Sequence, residues 1–558
     1  MRMRRQKPTH IALVIALSTL VFANSLPGAL VWDDEIQIVK NWRIRSLDNL
    51  PSAFTSAFWS FLGNEAENQT NFYRPIQTTT YMLAYSIGGL SPAPYHAFSL
   101  LYHTAASIFV YLIGLELGLG AAVALGIGVL FAVHPIHTEA VAWIAGMPDV
   151  ACGAFYFGSV WAFLRNRRWL SCALFFFALL SKEMAVTLPF FLLLLKSVKS
   201  SIEAARYRAC ASPAHFFVVL GAYLVLRVFA LGLLATSHLQ VQASWLDWLS
   251  LGVRVLGDYI RYSVIPYPLN AFHLIPLKLE YRMLSTSIAL IAIVLILISL
   301  WYLRRQALFW LASFVLMLIP VFYFKGMSNT FFAERYLYIP TFAMVTLVVT
   351  NLREVRHWNL VLTAIAAVFA ITAAYRNQTW RTSEQLYETT LALQPEVAHM
   401  SINLADIHLK RNEDDAARKL LVSAQQTMQT GTYVVYSYEQ YRAYIGLGAL
   451  DARAGRFAEA REQFKKAIEV NPNGDWGYLY LGGVFMEADR DYPKALENFQ
   501  KAIQLGPLNE VARDYLGVAM LNQKNYPEAI HYFEEALKIN PNYEDARNHL
   551  AIASRVIR

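Results

Sequence analysis

Three carboxylates in a row, Asp33-Asp34-Glu35, follow Trp32 where the first long apolar run of the chain ends. Adjacent side chains do not share a helix face, so one carboxylate can meet a substrate while the next holds it or the backbone. A carboxylate at a membrane–water boundary, its pKa adjusted by its neighbours, can act as a general base. A solvated helix end is the plainer reading. Basic residues recur further on. Arg74, in Tyr73-Arg74-Pro75, has the fork to grip a phosphate, or is an ordinary surface arginine. Lys182, in Ser181-Lys182-Glu183, interrupts an apolar stretch. Charge at membrane depth is costly unless paired or at a surface, so this is either an interfacial turn or a contact for a lipid phosphate. Arg335, in Glu334-Arg335-Tyr336-Leu337-Tyr338, either binds an anionic head group or pairs with Glu334 or another of the acids in these motifs.

His134-Pro135-Ile136-His137-Thr138-Glu139 combines HxxH with a nearby acid, a zinc-like pattern. Pro135 breaks the helix that would present both imidazoles together, and no HExxH occurs. His134, His137 and Glu139 are therefore expected in a polar substrate pocket or a structural role, with no metal site. Asp149 opens the next helix and reads as a partner for its dipole.

These residues sit on elements of two kinds. The 558 residues are 56% hydrophobic with mean hydropathy +0.33, and the average hides two halves. Residues 10–375 carry apolar run after apolar run; residues 376–558 read as soluble helices rich in Glu, Lys, Arg and Ala. A bilayer core needs roughly 20 helical residues to cross, and Ile11–Trp32 supplies them without a charge. The expected spans are 10–32, 97–117, 120–134, 148–164, 169–181, 184–196, 213–235, 284–303, 307–324, 336–351 and 358–375, eleven crossings in all. The basic clusters Met1–Lys7, Arg165–Arg168, Lys196–Arg208, Arg304–Arg305 and Arg353–Arg356 then fall on one side, the cytoplasm by the positive-inside rule. Loop 33–96 and the C-terminal region are placed outside: periplasm, cell exterior or a lumen. The first helix, although signal-like, is read as uncleaved. Residues 249–265 put Arg254, Asp258 and Arg261 on one face and read as a helix lying at the interface.

The net charge of +8 clusters at helix ends, which favours the lipid bilayer over nucleic acid as partner. Cys152, Cys172 and Cys210 lie in or beside apolar runs without metal or disulfide spacing. Asn68-Gln69-Thr70 and Asn377-Gln378-Thr379 fit the N-glycosylation pattern but decide nothing.

The C-terminal third repeats. Leu447-Gly448, Ala460, Phe464, Ala467 and Pro472 recur as Leu481-Gly482, Ala495, Phe499, Ala502 and Pro507, then as Leu516-Gly517, Ala529, Phe533, Ala536 and Pro541. The period of 34–35 residues is the tetratricopeptide spacing. Residues 396–430 read as a degenerate earlier repeat and Glu544–Arg558 as a capping helix, about four units in all. The expected fold is all-α: a polytopic membrane bundle over 1–375, then a tetratricopeptide-repeat (TPR) solenoid over 376–558.

Taken in order, Asp33-Asp34, Tyr73-Arg74-Pro75, His96 and His103, His134 to Val141, Ser181-Lys182-Glu183 and Glu334 to Tyr338, with repeats appended, resemble the transmembrane and tetratricopeptide-repeat O-mannosyltransferases and their prokaryotic relatives. These are GT-C glycosyltransferases that use polyprenyl-phosphate sugars. The resemblance implies inverting transfer of a sugar to a hydroxyl acceptor, with Asp33 matching the base and Asp34 its partner. Arg74, Lys182 and Arg335 would stabilise the departing phosphate. No cofactor beyond the lipid-linked sugar is implied and no divalent metal is required. The TPR region would capture an acceptor protein or peptide. Two positions depart from the pattern: Ser99, where relatives often have Asn, and Gly146-Met147, where they often have Gly-Arg. A membrane-anchored TPR scaffold is the competing reading; a transporter ranks behind it, for want of inverted halves.

Overall fold

The computed structural model describes residues 2–62, 72–197, 213–232, 243–303, 305–324 and 331–557. The described elements are helical, and the chain divides into two units, Met1–Thr390 and Leu391–Arg558. The division falls later than 375/376 because the segment after the last apolar helix packs back on the first unit. Trp380 is buried, Ala29 N donates to Arg381 O at 3.0 Å, and Trp32 N donates to Ser383 Oγ at 3.1 Å.

Each of the eleven apolar segments contains a helix, but few are long enough to cross. Among the described residues four qualify: Lys7–Ser25, Pro92–Glu116, Ala214–Leu231 and Trp358–Trp380. A fifth arises if Ala121–Ala132 and Pro135–Ala142, bent by 43°, form one span. The expectation of eleven crossings is corrected to four or five, and the parity argument built on it loses its premise. The reason is rise per residue. Arg168–Ser181 has 14 residues, about 21 Å of helix against a core of about 30 Å. The expected breaks at Pro135 and at Lys182, whose φ and ψ are extended, are present; the error lay in counting the short segments between such breaks as crossings.

Small residues bring the apolar helices together, as is common where lipid gives no hydrophobic drive. A Cβ on Gly128 would lie 2.8 Å from Tyr111 Cβ, and one on Gly114 only 3.0 Å from Ala124 Cβ. The loop after the first span is folded. Arg43, 2% exposed, donates to Ser52 Oγ (3.2 Å), Ala57 O (3.0 Å) and Ser60 Oγ (2.8 Å), closing it around the helix Leu50–Thr55. Its end leads into the helix Pro75–Gly88, where Pro75 occupies the first turn.

The expected interfacial segment is the helix Trp245–Val264, opened by a reciprocal Ser244–Asp247 capping box. It is not among the span candidates. Trp245, Leu246 and Leu249 point outward, while Val255, Tyr259 and Tyr262 are buried. Arg254, Asp258 and Arg261 lie on one side of this helix, but Asp258 is buried there and pairs with Arg254 at 3.0 Å.

The second unit contains four helix pairs, Ala398–Lys410 with Asp414–Gln429, Ser437–Arg453 with Phe457–Val470, Asp475–Val484 with Tyr492–Leu505 and Glu510–Asn522 with Tyr526–Ile539. Glu544–Ile557 follows as the cap. The repeated Leu-Gly and Phe explain each other. A Cβ on Gly448 would sit 2.5 Å from the Phe464 ring, on Gly482 2.7 Å from Phe499, and on Gly517 2.5 Å from Phe533. Each glycine is the hollow into which the second helix inserts its aromatic ring.

Candidate functional site

The site begins where the first span ends. Trp32 has φ +57°, a left-handed backbone uncommon for a residue with a side chain. The turn is closed from both directions: Asp34 N donates to Val31 O at 3.1 Å, and Val31 N donates to Asp34 Oδ2 at 3.0 Å. The other Asp34 oxygen accepts from Ala145 N at 2.8 Å, and Trp143 Nε1 donates to Val31 O at 3.3 Å. The strap 31–34 is thus tied to segment 143–145. Asp34 is 1% exposed, and burial pushes its carboxyl well above the usual carboxylate range against these backbone bonds. Asp33 is partly exposed. The two neighbours therefore have different surroundings: Asp34 holds backbone, and Asp33 stands at the edge.

Trp143 leads from this strap to the basic residues. Its ring stacks on Trp32 (centroids 5.2 Å) and on Trp380 (5.3 Å), and the Arg335 guanidinium lies 5.3 Å from its centroid. Arg335 is held by Glu139. Its backbone N donates to Glu139 Oε2 at 2.9 Å, and its Nη1 makes a close ion pair with Oε1. Lys182 Nζ bonds both oxygens of Asp149 at 2.6 Å. Glu183 lies 3.7 Å from Arg74 and 3.3 Å from Arg227. Tyr336 sits between two of these cations, its ring centroid 4.8 Å from Lys182 Nζ and 5.0 Å from Arg335 Cζ.

The result is one cluster of four cations and three carboxylates, Arg74, Lys182, Arg227 and Arg335 against Glu139, Asp149 and Glu183. With every group ionised, these seven side chains sum to one positive charge. Burial depresses the Lys182 ammonium, with Asp149 acting against the fall. Burial raises the Glu183 carboxyl, but Arg74 and Arg227 more than offset this and hold it below its ordinary value. Such a cluster can hold an anion, and the strap beside it can present a carboxylate to a proton.

Neighbours in sequence are not partners here. Glu334 does not pair with Arg335; its buried carboxylate takes Arg376 Nη2 at 2.7 Å, His273 Nε2 at 2.9 Å and Asn270 N at 2.6 Å. Lys182 and Glu183 likewise diverge to Asp149 and to the two arginines. Asp149, read as a dipole partner, is the counterion of Lys182. Glu139 joins the cluster, whereas His134 and His137 do not. His134 accepts Ile136 N at Nδ1 (3.2 Å), and its Nε2 lies 3.2 Å from Ser263 O, so both ring nitrogens are engaged. His137 is fully buried against Phe131 (4.5 Å) and Tyr338 (4.7 Å). Met147, at one of the departures from the family pattern, is fully buried. Asn377 of the second glycosylation pattern is buried, its amide donating to Val21 O at 2.9 Å and Asn24 Oδ1 at 2.6 Å. Asn68 lies outside the described residues.

The sequence reading missed Asp149, Glu183, Arg227 and Tyr336 as members. Arg227 had a signal: it is the one Lys, Arg, Asp or Glu in the apolar helix Ala214–Leu231, and a charge inside such a helix needs a partner.

Residues 352–552 match a family model described as the tetratricopeptide repeat protein 21 C-terminal ARM domain. Protein O-mannosyl-transferase F38B6.6 of Caenorhabditis elegans is 26% identical over 434 residues, covering 72% of this chain and 60% of that protein. Protein O-mannosyl-transferase TMTC3 of Homo sapiens is 25% identical over 598 residues, covering 89% of this chain and 64% of that protein. The chain thus spans under two-thirds of the length of these curated relatives. Among solved structures, Pseudomonas aeruginosa PilF aligns at 22% identity over 29% of this chain and 70% of that chain, with TM-score 0.26.

Proposed function

On the premise that this chain is a homologue of the TMTC protein O-mannosyl-transferases over most of its length, we propose that it is an inverting membrane glycosyltransferase. It moves a sugar, mannose by analogy with these relatives, from a polyprenyl-phosphate donor to a hydroxyl, that of a protein Ser or Thr. The observation that carries this reading is the cationic cluster around Tyr336, joined through Trp143 to the Asp33-Asp34 strap.

In this reaction the acceptor oxygen attacks the anomeric carbon opposite the phosphate. Asp33 takes the hydroxyl proton, and the bond from anomeric carbon to phosphate oxygen breaks. The donor phosphodiester carries one negative charge; the departing lipid monophosphate carries a second. Arg335, Lys182 and Arg74 stabilise that added charge, the kind of preorganised electrostatic help that weighs most in enzyme sites. Asp34 keeps the strap in place through Val31 and Ala145.

We place the site outside the cytoplasm, and helix polarity supports this without counting spans. Arg2–Phe22 starts among arginines and ends at the strap. Trp358–Arg376, the other candidate span that reaches the site, starts just after Arg353 and Arg356 and ends on Glu334. Both spans start beside basic residues, the side retained in the cytoplasm, and end toward the site. In this reading the TPR unit captures the acceptor protein or peptide.

The test is transfer of label from polyprenyl-phosphate mannose to a Ser/Thr peptide and to a protein acceptor, by the purified full chain and by Asp33→Asn. Transfer lost in the variant supports the reading; equal transfer by both removes Asp33 as the base, and no transfer by the wild type sinks the proposal.

A further inference from the structure

Tyr336 lies on a turn that is fixed from several directions. Its N donates to Ala333 O at 3.2 Å, and Tyr338 N closes on Arg335 O at 3.1 Å. Glu334 before it is anchored to Arg376, His273 and Asn270 N, Arg335 is anchored to Glu139, and Leu337 after it is fully buried. The ring therefore has little freedom, and its position between Lys182 and Arg335 is a built feature of the fold.

Two cations that face a common space repel each other. Here each has a carboxylate behind it, Asp149 for Lys182 and Glu139 for Arg335, and each lies near the same aromatic ring. The electron-rich face of a phenol attracts both, so the ring acts as a spacer that lets two positive charges stay close. Arg74 and Asp149 are also near enough to act electrostatically on this phenol. Its hydroxyl differs from others nearby. Tyr338 Oη meets His103 Nδ1 at 2.8 Å, and Tyr259 Oη accepts from Ala333 N at 3.4 Å. Tyr336 Oη bonds no described residue, and the side chain is only partly buried. An O–H on a ring whose centroid lies within 5.0 Å of both an ammonium and a guanidinium is suited to an anion with several acceptor oxygens.

We propose that Tyr336 is a direct phosphate ligand, its hydroxyl donating to a non-bridging oxygen of the lipid-linked phosphate while its ring keeps Lys182 and Arg335 on either side. This rests on the glycosyl-transfer reading above and adds a residue and a charge preference to it. As the anomeric bond breaks, the phosphate passes from one negative charge to two, so the hydrogen bond is stronger to the departing group than to the bound donor. An interaction that grows toward the transition state raises the rate of the chemical step and not only binding.

Tyr336→Phe removes the hydroxyl and keeps the ring. A hydrogen bond to a charged group corresponds to about 10- to 100-fold. The full-length variant, in the same detergent or nanodisc as wild type and with an unchanged melting midpoint, should lose that factor in kcat. It should also bind polyprenyl monophosphate more weakly, with binding of the uncharged polyprenol unaltered. Tyr336→Leu, which removes the spacer as well, should lose more. A Phe variant equal to wild type in kcat and in monophosphate binding overturns the proposal. The two readings fail separately. A wild type that binds monophosphate without transferring sugar, with weaker binding by Tyr336→Phe, upholds the tyrosine's role and ends the transfer reading. A wild type that neither transfers nor binds monophosphate ends both.

Discussion

Asp34→Asn separates the two adjacent carboxylates, because the structure gives them different tasks. Asp34 uses one oxygen for Val31 N (3.0 Å) and the other for Ala145 N (2.8 Å), at 1% exposure. An asparagine amide offers one acceptor oxygen and one NH2. In either orientation the NH2 confronts a backbone N–H, so one buried donor loses its partner, at a cost of about 1–3 kcal/mol. The loss falls on the strap that holds Trp32 and Asp33. The variant should keep the bundle's melting midpoint within a few degrees but lose amide hydrogen-exchange protection at Val31 and Ala145, with sugar transfer falling in step. Asp33→Asn should do the opposite: protection stays, and transfer drops by about 10²- to 10⁴-fold, the range for a general base. The pH dependence has a definite sign. Burial raises the native Asp34 carboxyl, so its contribution to the strap is complete below its ordinary value of about 3.9 and declines as pH rises through the higher native one. Asp34→Asn does not titrate, and protection in that variant should be flat with pH. If Asp33→Asn transfers normally while Asp34→Asn abolishes transfer with the strap's protection intact, the assignment is reversed and the reasoning fails.

Glu183, held below its ordinary value by Arg74 and Arg227 against burial, contributes stability that is full above about 4.3 and is lost as pH falls through the lower native value. The melting midpoint of Glu183→Gln should be lower than wild type at neutral pH and converge with it in acid; parallel profiles would refute this. Glu334→Gln strands Arg376, whose side chain is 9% exposed, and breaking a buried pair from one side costs about 3–5 kcal/mol. A melting midpoint within 1 °C of wild type would contradict the anchoring role of Glu334. In the repeats, Gly517→Ala places a Cβ 2.5 Å from the Phe533 ring, an overpacking worth about 1–3 kcal/mol. Faster proteolysis between residues 505 and 545 is expected, and unchanged cleavage would mean that the ring yields freely.

The repeat unit was legible because its signal is local and periodic. Leu-Gly in one helix and Ala-x-x-x-Phe in the next encode a hollow and the ring that fills it, and both recur at one spacing. The apolar segments were legible as helices for the same reason. Which of them cross was not, because short segments between backbone breaks were counted as crossings. The break at His134 to Thr138, a 3-10 turn and a bend, falls where Pro135 predicts it. Residues 184–196 read as one segment but are a 3-10 turn at Glu183–Thr187 followed by the helix Leu188–Ser197. The end of the first unit was invisible for another reason: Trp380 and Ser383 belong to it through contacts with Trp143 and Trp32, far earlier in the chain.

Of the clustered charges, Arg74, Glu139, Lys182 and Arg335 stood out in the sequence, Asp149, Glu183 and Arg227 did not, and none of the pairings did; the cause is electrostatic. Adjacent side chains leave the backbone in different directions, so Glu334-Arg335 and Lys182-Glu183 cannot easily satisfy each other at depth. Each turns to a charge far along the chain: Arg335 to Glu139, Glu334 to Arg376, Lys182 to Asp149, Glu183 to Arg74 and Arg227. A dipeptide of opposite charges in an apolar stretch is therefore best read as two separate demands for a distant counterion. Five chain segments meet these demands here, and the turn carrying Tyr336 is the point where two of them converge. This crossing pattern also explains why the site needs the bundle. Glu139, Asp149 and Glu183 each stand in the first turn of a helix, and Glu139 is held by a close small-residue contact: a Cβ on Gly146 would lie 2.7 Å from Glu139 O. A larger residue at Gly146 should displace Glu139 and with it the guanidinium of Arg335, without touching any residue that meets the substrate.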